Sequence, residues 1–441
     1  MWPSKKALNN FEEKEIKVGY GWIIIGISVI TALVNYGIWY SFPVFYLKIL
    51  DDLGWGRAET ASIFTISSVV YGFGSLFAGF LVDRIGPRKL FPAACCILSI
   101  GCIIAGISDR LFEFYITYVL IGLGVICSGY VPITVVLSNW FETKKATAIG
   151  IGLMGTVAPP ILTVPIQQLI ATIGWRLSYI FLGGVEILLI APLTAIFMQT
   201  KQKASKNKQC LNDPFSVSGS SRSSTVRENK YTTIRAKKNA GTSSSVMLTR
   251  QFLALSGSIL IFGIGCGIIM NHSIAFFVSK GYSEKEAAFA YSLAGFMAVL
   301  GRLCGFIADK FGRRVAFTLD TILLILSAIV LMIIAPNQPL IIICAFSVFF
   351  GLAYGLFAPA FSACAADLFS GRRFGKTLGI LNIGYGIGLG TGAWLGGKLY
   401  DQFIRYDVAF ALTVPMFVVM CIFFWVACLK KDMHLNVFNI L

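Results

Sequence analysis

Charged residues are scarce in this 441-residue chain, where Asp, Glu, Lys and Arg together make up 13% of the sequence. An ordinary soluble domain carries about 25%. So few charges cannot cover the surface of a water-exposed globule of this size. Hydrophobic residues account for 56% of the chain, and its mean hydropathy is +0.76. The composition therefore excludes a soluble fold and indicates a membrane protein.

Motifs of energy-coupled and metal-dependent chemistry are also missing. No GxxxxGK[ST] sequence occurs, which argues against an ATP-driven pump. None of the 11 cysteines forms a CxxC pair, and no Cys/His or carboxylate cluster has metal-ligand spacing. We therefore expect no cofactor, no bound metal and no enzymatic activity, and we interpret the cysteines as small packing residues.

What the chain does contain is long apolar runs. A bilayer core of about 30 Å needs about 20 apolar helical residues per crossing. Twelve stretches meet this length, and their continuity predicts helices because barrel strands would be short and alternating. They cover residues 20–47, 58–82, 90–108, 112–137, 146–171, 177–198, 251–279, 287–308, 315–335, 340–366, 374–397 and 408–428.

The formal net charge of +16 has an uneven distribution. Lys and Arg concentrate in the N-terminal segment, the even-numbered connections and the C-terminal segment, whereas the odd-numbered connections hold few. By the positive-inside rule this places both termini in the cytosol. The basic excess is thus a topology signal and gives no reason to expect nucleic-acid binding. The plasma membrane is the default location for this multi-pass protein.

A basic, Ser-rich segment divides the chain at residues 199–250. It holds too few large apolar side chains to fold, so we predict a disordered cytosolic linker. Six apolar stretches precede it and six follow, which predicts bundles at 20–198 and 251–428, between a cytosolic N-terminus at 1–19 and a cytosolic C-terminus at 429–441. The predicted fold is all-α, with twelve transmembrane helices in two pseudo-symmetric six-helix bundles.

The two halves carry the same turn. It reads GFLVDRIGPR at residues 79–88 and GFIADKFGRR at residues 305–314, each closing the second helix of its half. Two six-helix repeats joined by a basic loop, with this turn, resemble the major facilitator superfamily. The resemblance implies alternating access around a site near the midplane between the halves.

The charged side chains of the two turns are candidate gate residues, which would pair with neighbouring cytosolic loops and separate as the halves rock. The alternative is that they are merely the charged ends of helices. The candidates are Asp83, Arg84, Arg88, Asp309, Lys310, Arg313 and Arg314.

Three short motifs indicate a branch within this superfamily. They are Gly21-Trp22 at the start of the first stretch, Trp140-Phe141 followed by the glycine run GIGLMG at 150–155, and Gly301-Arg302. Together they resemble the monocarboxylate transporter family and its bacterial oxalate/formate antiporter relatives. Two positions depart from the animal members. Tyr40 stands where they carry a lysine and Ala298 where they carry an aspartate, groups implicated in proton-coupled carboxylate uptake. The coupling ion is therefore left open.

Arg302 is the only Lys or Arg well inside a predicted helix. A cation at that depth costs at least about 2.5 kcal/mol. The equivalent position in the first repeat is Leu76, so the fold itself does not need a charge there. A bound carboxylate would supply charge-assisted hydrogen bonds that lipid cannot. The alternatives are an ion pair with Asp320 and snorkelling to the headgroups.

Other polar side chains inside the stretches are further candidates for substrate contact, each with helix packing as the alternative. Tyr36 and Tyr40 lie one helical turn apart beside Asn35. The remaining candidates are Asn271, His272, Tyr354, Asn382 and Tyr385. For proton coupling the candidates are Glu186, an acid near the middle of a stretch, and His272.

These features predict a secondary transporter of small organic anions, foremost monocarboxylates, working by alternating access as a proton symporter or an anion exchanger. Its partners would be the small-molecule substrate and the lipid bilayer, and it would act as a monomer. Two alternatives stay open. One is a facilitator of an uncharged or cationic molecule such as a drug, sugar or siderophore, and the other is a transport-dead receptor or scaffold.

Overall fold

The computed structural model describes residues 5–141, 145–199, 249–336, 338–369 and 374–429, which are almost entirely helical and contain no β-strand. The predicted linker at 199–250 and the C-terminal segment at 429–441 fall almost wholly outside this part of the chain. In the predicted N-terminal segment, 1–19, the backbone is described from residue 5 and the side chains are not.

The first half contains nine α-helices in the described ranges. They are α1 (Lys5–Tyr40), α2 (Phe42–Leu53), α3 (Arg57–Ile85), α4 (Pro87–Ile107), α5 (Leu111–Ser128), α6 (Tyr130–Trp140), α7 (Lys145–Gly152), α8 (Thr163–Val185) and α9 (Ala191–Phe197). Two 3₁₀ turns, Met154–Thr156 and Pro159–Leu162, separate α7 from α8, and a π-helical turn, Glu186–Ile190, separates α8 from α9.

The second half contains seven α-helices among the residues described. They are α10 (Arg250–Ser279), α11 (Glu284–Leu303), α12 (Phe306–Lys310), α13 (Arg313–Ile333), α14 (Leu340–Leu368), α15 (Phe374–Phe403) and α16 (Asp407–Cys428).

Eleven described segments are long and apolar enough to cross a membrane, and we count one of them as two crossings because a kink interrupts it. That segment, Pro159–Phe197, is 39 residues long and breaks at Gly174, whose φ of 80° is not helical. Before the break, Ser292 of α11 donates a hydrogen bond to the carbonyl oxygen of Pro160, and after it Gly183 packs on Ser99 of α4. The twelve crossings predicted from the sequence are therefore confirmed.

The repeated turn has the same backbone in both halves. Gly86 has φ 81° and ψ 150°, and Gly312 has φ 96° and ψ 154°. Only glycine adopts this region readily, because a Cβ would clash with the backbone. Both turns lie at the end of the bundle from which residue 199 leaves and to which residue 249 returns. We call this the linker end and the opposite end, which carries the turn at Gly54, the far end.

Polar and apolar side chains are distributed as a bilayer requires. Large apolar side chains face outward, with Leu188 80% exposed and Ile341 71% exposed. Hydroxyl and amide groups such as those of Asn35, Ser67 and Ser68 are fully buried inside the bundle. This arrangement suits a hydrocarbon solvent, in which polar groups must find partners within the protein.

Glycines bring the two halves into close contact along α3 and α15. A Cβ added at Gly386 would lie 2.5 Å from the carbonyl oxygen of Ser68, and one at Gly390 would lie 2.8 Å from that of Thr65. Small residues permit such approach between membrane helices. The glycine-rich sequence of α15 thus serves the contact between halves.

Candidate functional site

A cavity of about 110 Å³ lies between the two halves near mid-height, on the linker-end side. It is walled by side chains from both halves and is rich in tyrosine. The lining residues are Tyr36, Tyr40, Tyr71, Tyr130, Thr156, Val157, Ile259, Phe262, Arg302, Tyr354, Phe357, Ala358, Phe361, Ser362, Leu378, Asn382 and Tyr385. Six of the predicted contact residues are among them: Arg302, Tyr36, Tyr40, Tyr354, Asn382 and Tyr385.

Arg302 extends from the last turn of α11 into this cavity. Its Nη1 donates one hydrogen bond, 3.3 Å long, to Oγ1 of Thr156 in the first half. No carboxylate among the described residues forms an ion pair with it. Asp320 is fully buried elsewhere, and neither of its carboxylate oxygens has a hydrogen-bond partner in the described structure. The described structure therefore contains no Arg302–Asp320 ion pair, and the Arg302 side chain lines the cavity between the halves.

Close packing between α11 and α14 brings Arg302 beside Tyr354. A Cβ added at Gly355 would lie 2.7 Å from the backbone nitrogen of Arg302, and one at Gly351 would lie 2.6 Å from Cβ of Met297. The helices therefore touch backbone to backbone, which is possible only with glycine at these positions. As a result the guanidinium and the tyrosine hydroxyl open onto the same space.

Two groups of hydrogen-bonded tyrosines line the cavity. The Tyr354 hydroxyl lies 2.9 Å from that of Tyr385 and 2.9 Å from that of Tyr40, which belongs to the opposite half. In the first half, the Tyr36 hydroxyl lies 3.1 Å from that of Tyr71. Tyr36 also accepts a 3.2 Å hydrogen bond from the backbone N–H of Tyr130. The hydroxyls can each offer or accept a hydrogen bond.

The lining residues carry one formal charge. Arg302 is the single cation of the described lining, which includes no Asp, Glu or His. Three phenylalanines, Phe262, Phe357 and Phe361, add apolar surface, and Phe262 stacks on Phe357 with centroids 3.4 Å apart. The site is thus a mostly aromatic pocket with one fixed positive group.

Asn35 and Glu186 lie away from the cavity, in the core of the first half. Both are fully buried. With its amide oriented to satisfy both neighbours, Asn35 donates to the Glu186 carboxylate at 2.7 Å and accepts a hydrogen bond from Ser128 at 2.6 Å. Glu186 begins the π-helical turn of the sixth crossing. These contacts give the buried carboxylate a hydrogen-bond partner within the protein, as a structural role in helix packing requires.

His272 and Asn271 also lie outside the cavity, toward the far end of α10. His272 Nε2 lies 2.7 Å from the carbonyl oxygen of Ala393, and the ring packs between Tyr46 and Tyr406. Asn271 donates to the carbonyl oxygen of Gly267 at 2.9 Å. His272 Nδ1 and Asn271 Oδ1 have no hydrogen-bond partner in the described residues.

In this state, the charged side chains of the repeated turns make no described contact between the two halves. Asp83 is exposed, and the Arg84 guanidinium lies 5.9 Å from the Phe80 ring. Arg88 donates to the carbonyl oxygen of Ala195 at 3.1 Å, and Lys310 lies 5.4 Å from the Phe311 ring. Arg313 pairs with Asp367 and Arg314 with the carbonyl oxygen of Cys428, all within the second half. The side chain of Asp309 is outside the described set.

Carboxylates join the two halves at the far end. Lys48 forms a 2.5 Å ion pair with Glu284. The Asp401 carboxylate accepts hydrogen bonds from the backbone N–H groups of Arg57, at 3.2 Å, and Ala58, at 2.9 Å. It therefore satisfies the first amides of α3, where the helix dipole favours a negative charge. The far end is thus held closed by contacts across the halves.

Replacing Asp401 with Asn is expected to loosen this closure. The charge at the N-terminus of α3 is lost, a change of about 1 kcal/mol. Amide hydrogen exchange at residues 57–60 should therefore become several-fold faster. Asp109→Asn is the matched control because Asp109 pairs with Arg176 within the first half. Unchanged exchange in Asp401→Asn would show that this carboxylate does not close the far end.

Sequence reasoning missed several lining residues, chiefly Tyr71, Tyr130 and Thr156. The two tyrosines have the property that singled out Tyr36, a hydroxyl-bearing ring within an apolar span, and the same criterion would have found them. Thr156 gave no such signal. It reaches Arg302 only because the fifth crossing breaks into 3₁₀ turns around it.

Comparison with known families and proteins gives a consistent picture. The family model described as Major Facilitator Superfamily matches residues 27–347 and again 304–438. Monocarboxylate transporter 3 of Rattus norvegicus is 26% identical over 401 residues, spanning 89% of this chain and 77% of that protein. Monocarboxylate transporter 2 of Homo sapiens is 27% identical over 396 residues, spanning 87% and 80%.

Solved structures share the fold at lower identity. A bacterial homologue of the human lysosomal transporter Spinster, in an inward-facing and occupied conformation, matches with a TM-score of 0.67 at 16% identity, covering 94% of this chain and 98% of that one. A D-xylose–proton symporter matches with a TM-score of 0.69 at 14% identity, covering 92% and 97%.

Proposed function

This chain belongs to the major facilitator superfamily, and from that premise we propose that it is a secondary transporter of small organic anions bearing a single carboxylate. The anion binds Arg302 in the tyrosine-rich cavity between the halves. The monocarboxylate transporters to which the chain is similar support this choice of substrate.

The observation that carries the proposal is the incomplete hydrogen bonding of Arg302. A guanidinium has five N–H donors, and the described structure gives this one a single side-chain acceptor, the Thr156 hydroxyl. A cation away from water is costly unless it is paired. A carboxylate in the cavity would accept two parallel hydrogen bonds and neutralise the charge.

The rest of the lining determines which chemical groups the substrate carries besides its carboxylate. With one cation in the described wall, a second carboxylate on the substrate would stay unpaired and desolvated. The rings of Phe262, Phe357 and the tyrosines favour an apolar or aromatic body, with hydroxyls and Asn382 available for one or two hydrogen bonds. Monocarboxylates with apolar substituents are therefore preferred over dicarboxylates, sugars and organic cations.

Alternating access follows from the way the halves meet. The far end is joined by Lys48–Glu284 and by Asp401 on α3, whereas the cavity lies on the linker-end side. Rocking the halves would break these contacts and expose Arg302 to the other side. We propose that the linker end faces the cytosol, as the positive-inside rule predicts.

For energy coupling we favour anion exchange over proton symport. A symporter needs a group that carries the proton beside the substrate, and the described lining holds no carboxylate or imidazole. Glu186 is hydrogen-bonded to Asn35 and His272 to the carbonyl oxygen of Ala393, and neither residue lines the cavity. In an exchanger the halves reorient only when Arg302 carries an anion, which avoids enclosing an unpaired charge during the change of access.

Uptake into proteoliposomes tests the proposal. Labelled benzoate, pyruvate, lactate and formate should enter saturably and faster when an unlabelled monocarboxylate is present inside, whereas oxalate, a sugar and an organic cation should enter poorly. An imposed pH gradient should leave the exchange rate unchanged. Preferred uptake of the sugar or the cation would refute the substrate class, and uptake that depends on the pH gradient would refute exchange.

A further inference from the structure

Two cysteines meet at the linker end of the second half. Cys364 lies in the last turns of α14 and Cys428 is the final residue of α16, and their Sγ atoms are 3.0 Å apart. The two thiols are not joined by a disulfide. A disulfide places its sulfur atoms about 2.0 Å apart, so bond formation requires an approach of only about 1 Å.

Side chains of the repeated turn position this pair. Arg314 donates a 2.7 Å hydrogen bond to the carbonyl oxygen of Cys428. Arg313 Nε lies 3.5 Å from Oδ2 of Asp367, one helical turn beyond Cys364. The start of α13 therefore contacts the ends of both α14 and α16. Packing of α13 against α14 and α16 therefore holds the two thiols close together.

The Cys428 thiol, beside the buried Cys364, is also accessible to a small reagent. Both cysteines line a cavity of about 320 Å³, together with Gly312, Arg313 and Leu368 among others. Cys364 is 2% exposed and Cys428 is partly exposed. No other two thiols are hydrogen-bonded to each other in the described part of the chain. Proximity and access together distinguish this pair from the packing cysteines.

We propose that Cys364 and Cys428 are a redox-responsive pair that a peroxide converts to a disulfide. The more exposed Cys428 thiol attacks hydrogen peroxide, the O–O bond breaks, one oxygen is transferred to the sulfur as a sulfenic acid and the other leaves as water. The Cys364 sulfur then attacks the sulfenic sulfur, the S–S bond forms, the S–O bond breaks and a second water departs. Two thiols are oxidised, one peroxide is reduced, and both thiol protons leave in the waters.

The disulfide would restrain a wall of the central cavity. Beyond Pro359, α14 contributes Phe361 and Ser362 to the lining, and Cys364 belongs to the same segment. We infer that the part of α14 beyond Pro359 bends toward the first half, relative to α16, when the linker end closes. The disulfide would tie this part of α14 to α16 and so oppose the bend. Oxidation therefore holds the linker end open and slows turnover. This step rests on the alternating access proposed above.

The disulfide itself is tested on purified protein in lipid nanodiscs, without reference to transport. After peroxide treatment and blocking of the remaining thiols, proteolysis and mass spectrometry should give a dithiothreitol-sensitive peptide pair joining Cys364 to Cys428. Cys428→Ser should abolish this cross-link, whereas Cys421→Ser, an earlier cysteine of the same helix, should retain it. Absence of the cross-link in the wild-type protein would overturn the proposal.

A transport measurement tests whether the disulfide slows turnover. Peroxide should lower the rate of monocarboxylate exchange in proteoliposomes by about tenfold, and dithiothreitol should restore it, in wild type and Cys421→Ser but not in Cys428→Ser. A cross-link that forms fully and leaves the exchange rate unchanged would refute the restraint on α14. If no monocarboxylate is transported by the reduced protein, the proposed function fails while the cross-linking result stands.

Discussion

Replacing Arg302 with Ala is expected to reduce monocarboxylate uptake into proteoliposomes by about 100-fold. The substitution removes the only cation of the described cavity lining, and a bidentate pair of charge-assisted hydrogen bonds contributes about 3 kcal/mol or more. Ligand-induced thermal stabilisation by benzoate should disappear in the same variant, because binding no longer favours the folded protein. Arg302→Lys should be intermediate, since it keeps the charge and loses the planar pair of donors.

Arg176→Ala is the matched control for this experiment. Arg176 is also an arginine of a membrane-spanning segment, but it pairs with Asp52 and Asp109 at the far end of the first half. Its loss should leave substrate affinity close to that of the wild type. Normal uptake and normal thermal stabilisation by benzoate in a folded Arg302→Ala protein would show that the anion binds elsewhere.

Gly355→Ala is expected to lower the thermal unfolding midpoint by several degrees and to impair transport. The new Cβ would overlap the carbonyl oxygen of Ala298 and lie 2.7 Å from the backbone nitrogen of Arg302. Because both neighbours are backbone atoms, α11 must move away from α14, and overpacking of this kind costs about 1–3 kcal/mol. The displacement also separates Arg302 from Tyr354.

Gly184→Ala provides the comparison, since a Cβ at Gly184 meets nothing within 4 Å. In an open helical position alanine is more favourable than glycine by about 1 kcal/mol. The control should therefore unfold at the same temperature as wild type or slightly higher. Equal midpoints for the two variants would mean that contact between α11 and α14 does not require glycine.

The functional site was only partly predictable from the sequence. Arg302 was identifiable because a buried cation needs a partner wherever the helix lies, and Tyr36 and Tyr40 because they are one turn apart. Asn35 and His272 have equally polar side chains in equally apolar spans, yet neither lines the cavity. Composition reveals that a polar group is buried but not which neighbouring helix supplies its hydrogen bond.

The sequence by itself determined the membrane fold, the twelve crossings, the duplication and the one deep cation. These depend on the length of apolar runs and on the cost of placing a charge in hydrocarbon, which are local properties of the chain. Only the tertiary structure decided which side chains share the cavity and which thiols meet. Those outcomes depend on the rotation of each helix about its axis and on glycine contacts such as that between Gly355 and α11, which are set by packing between distant segments.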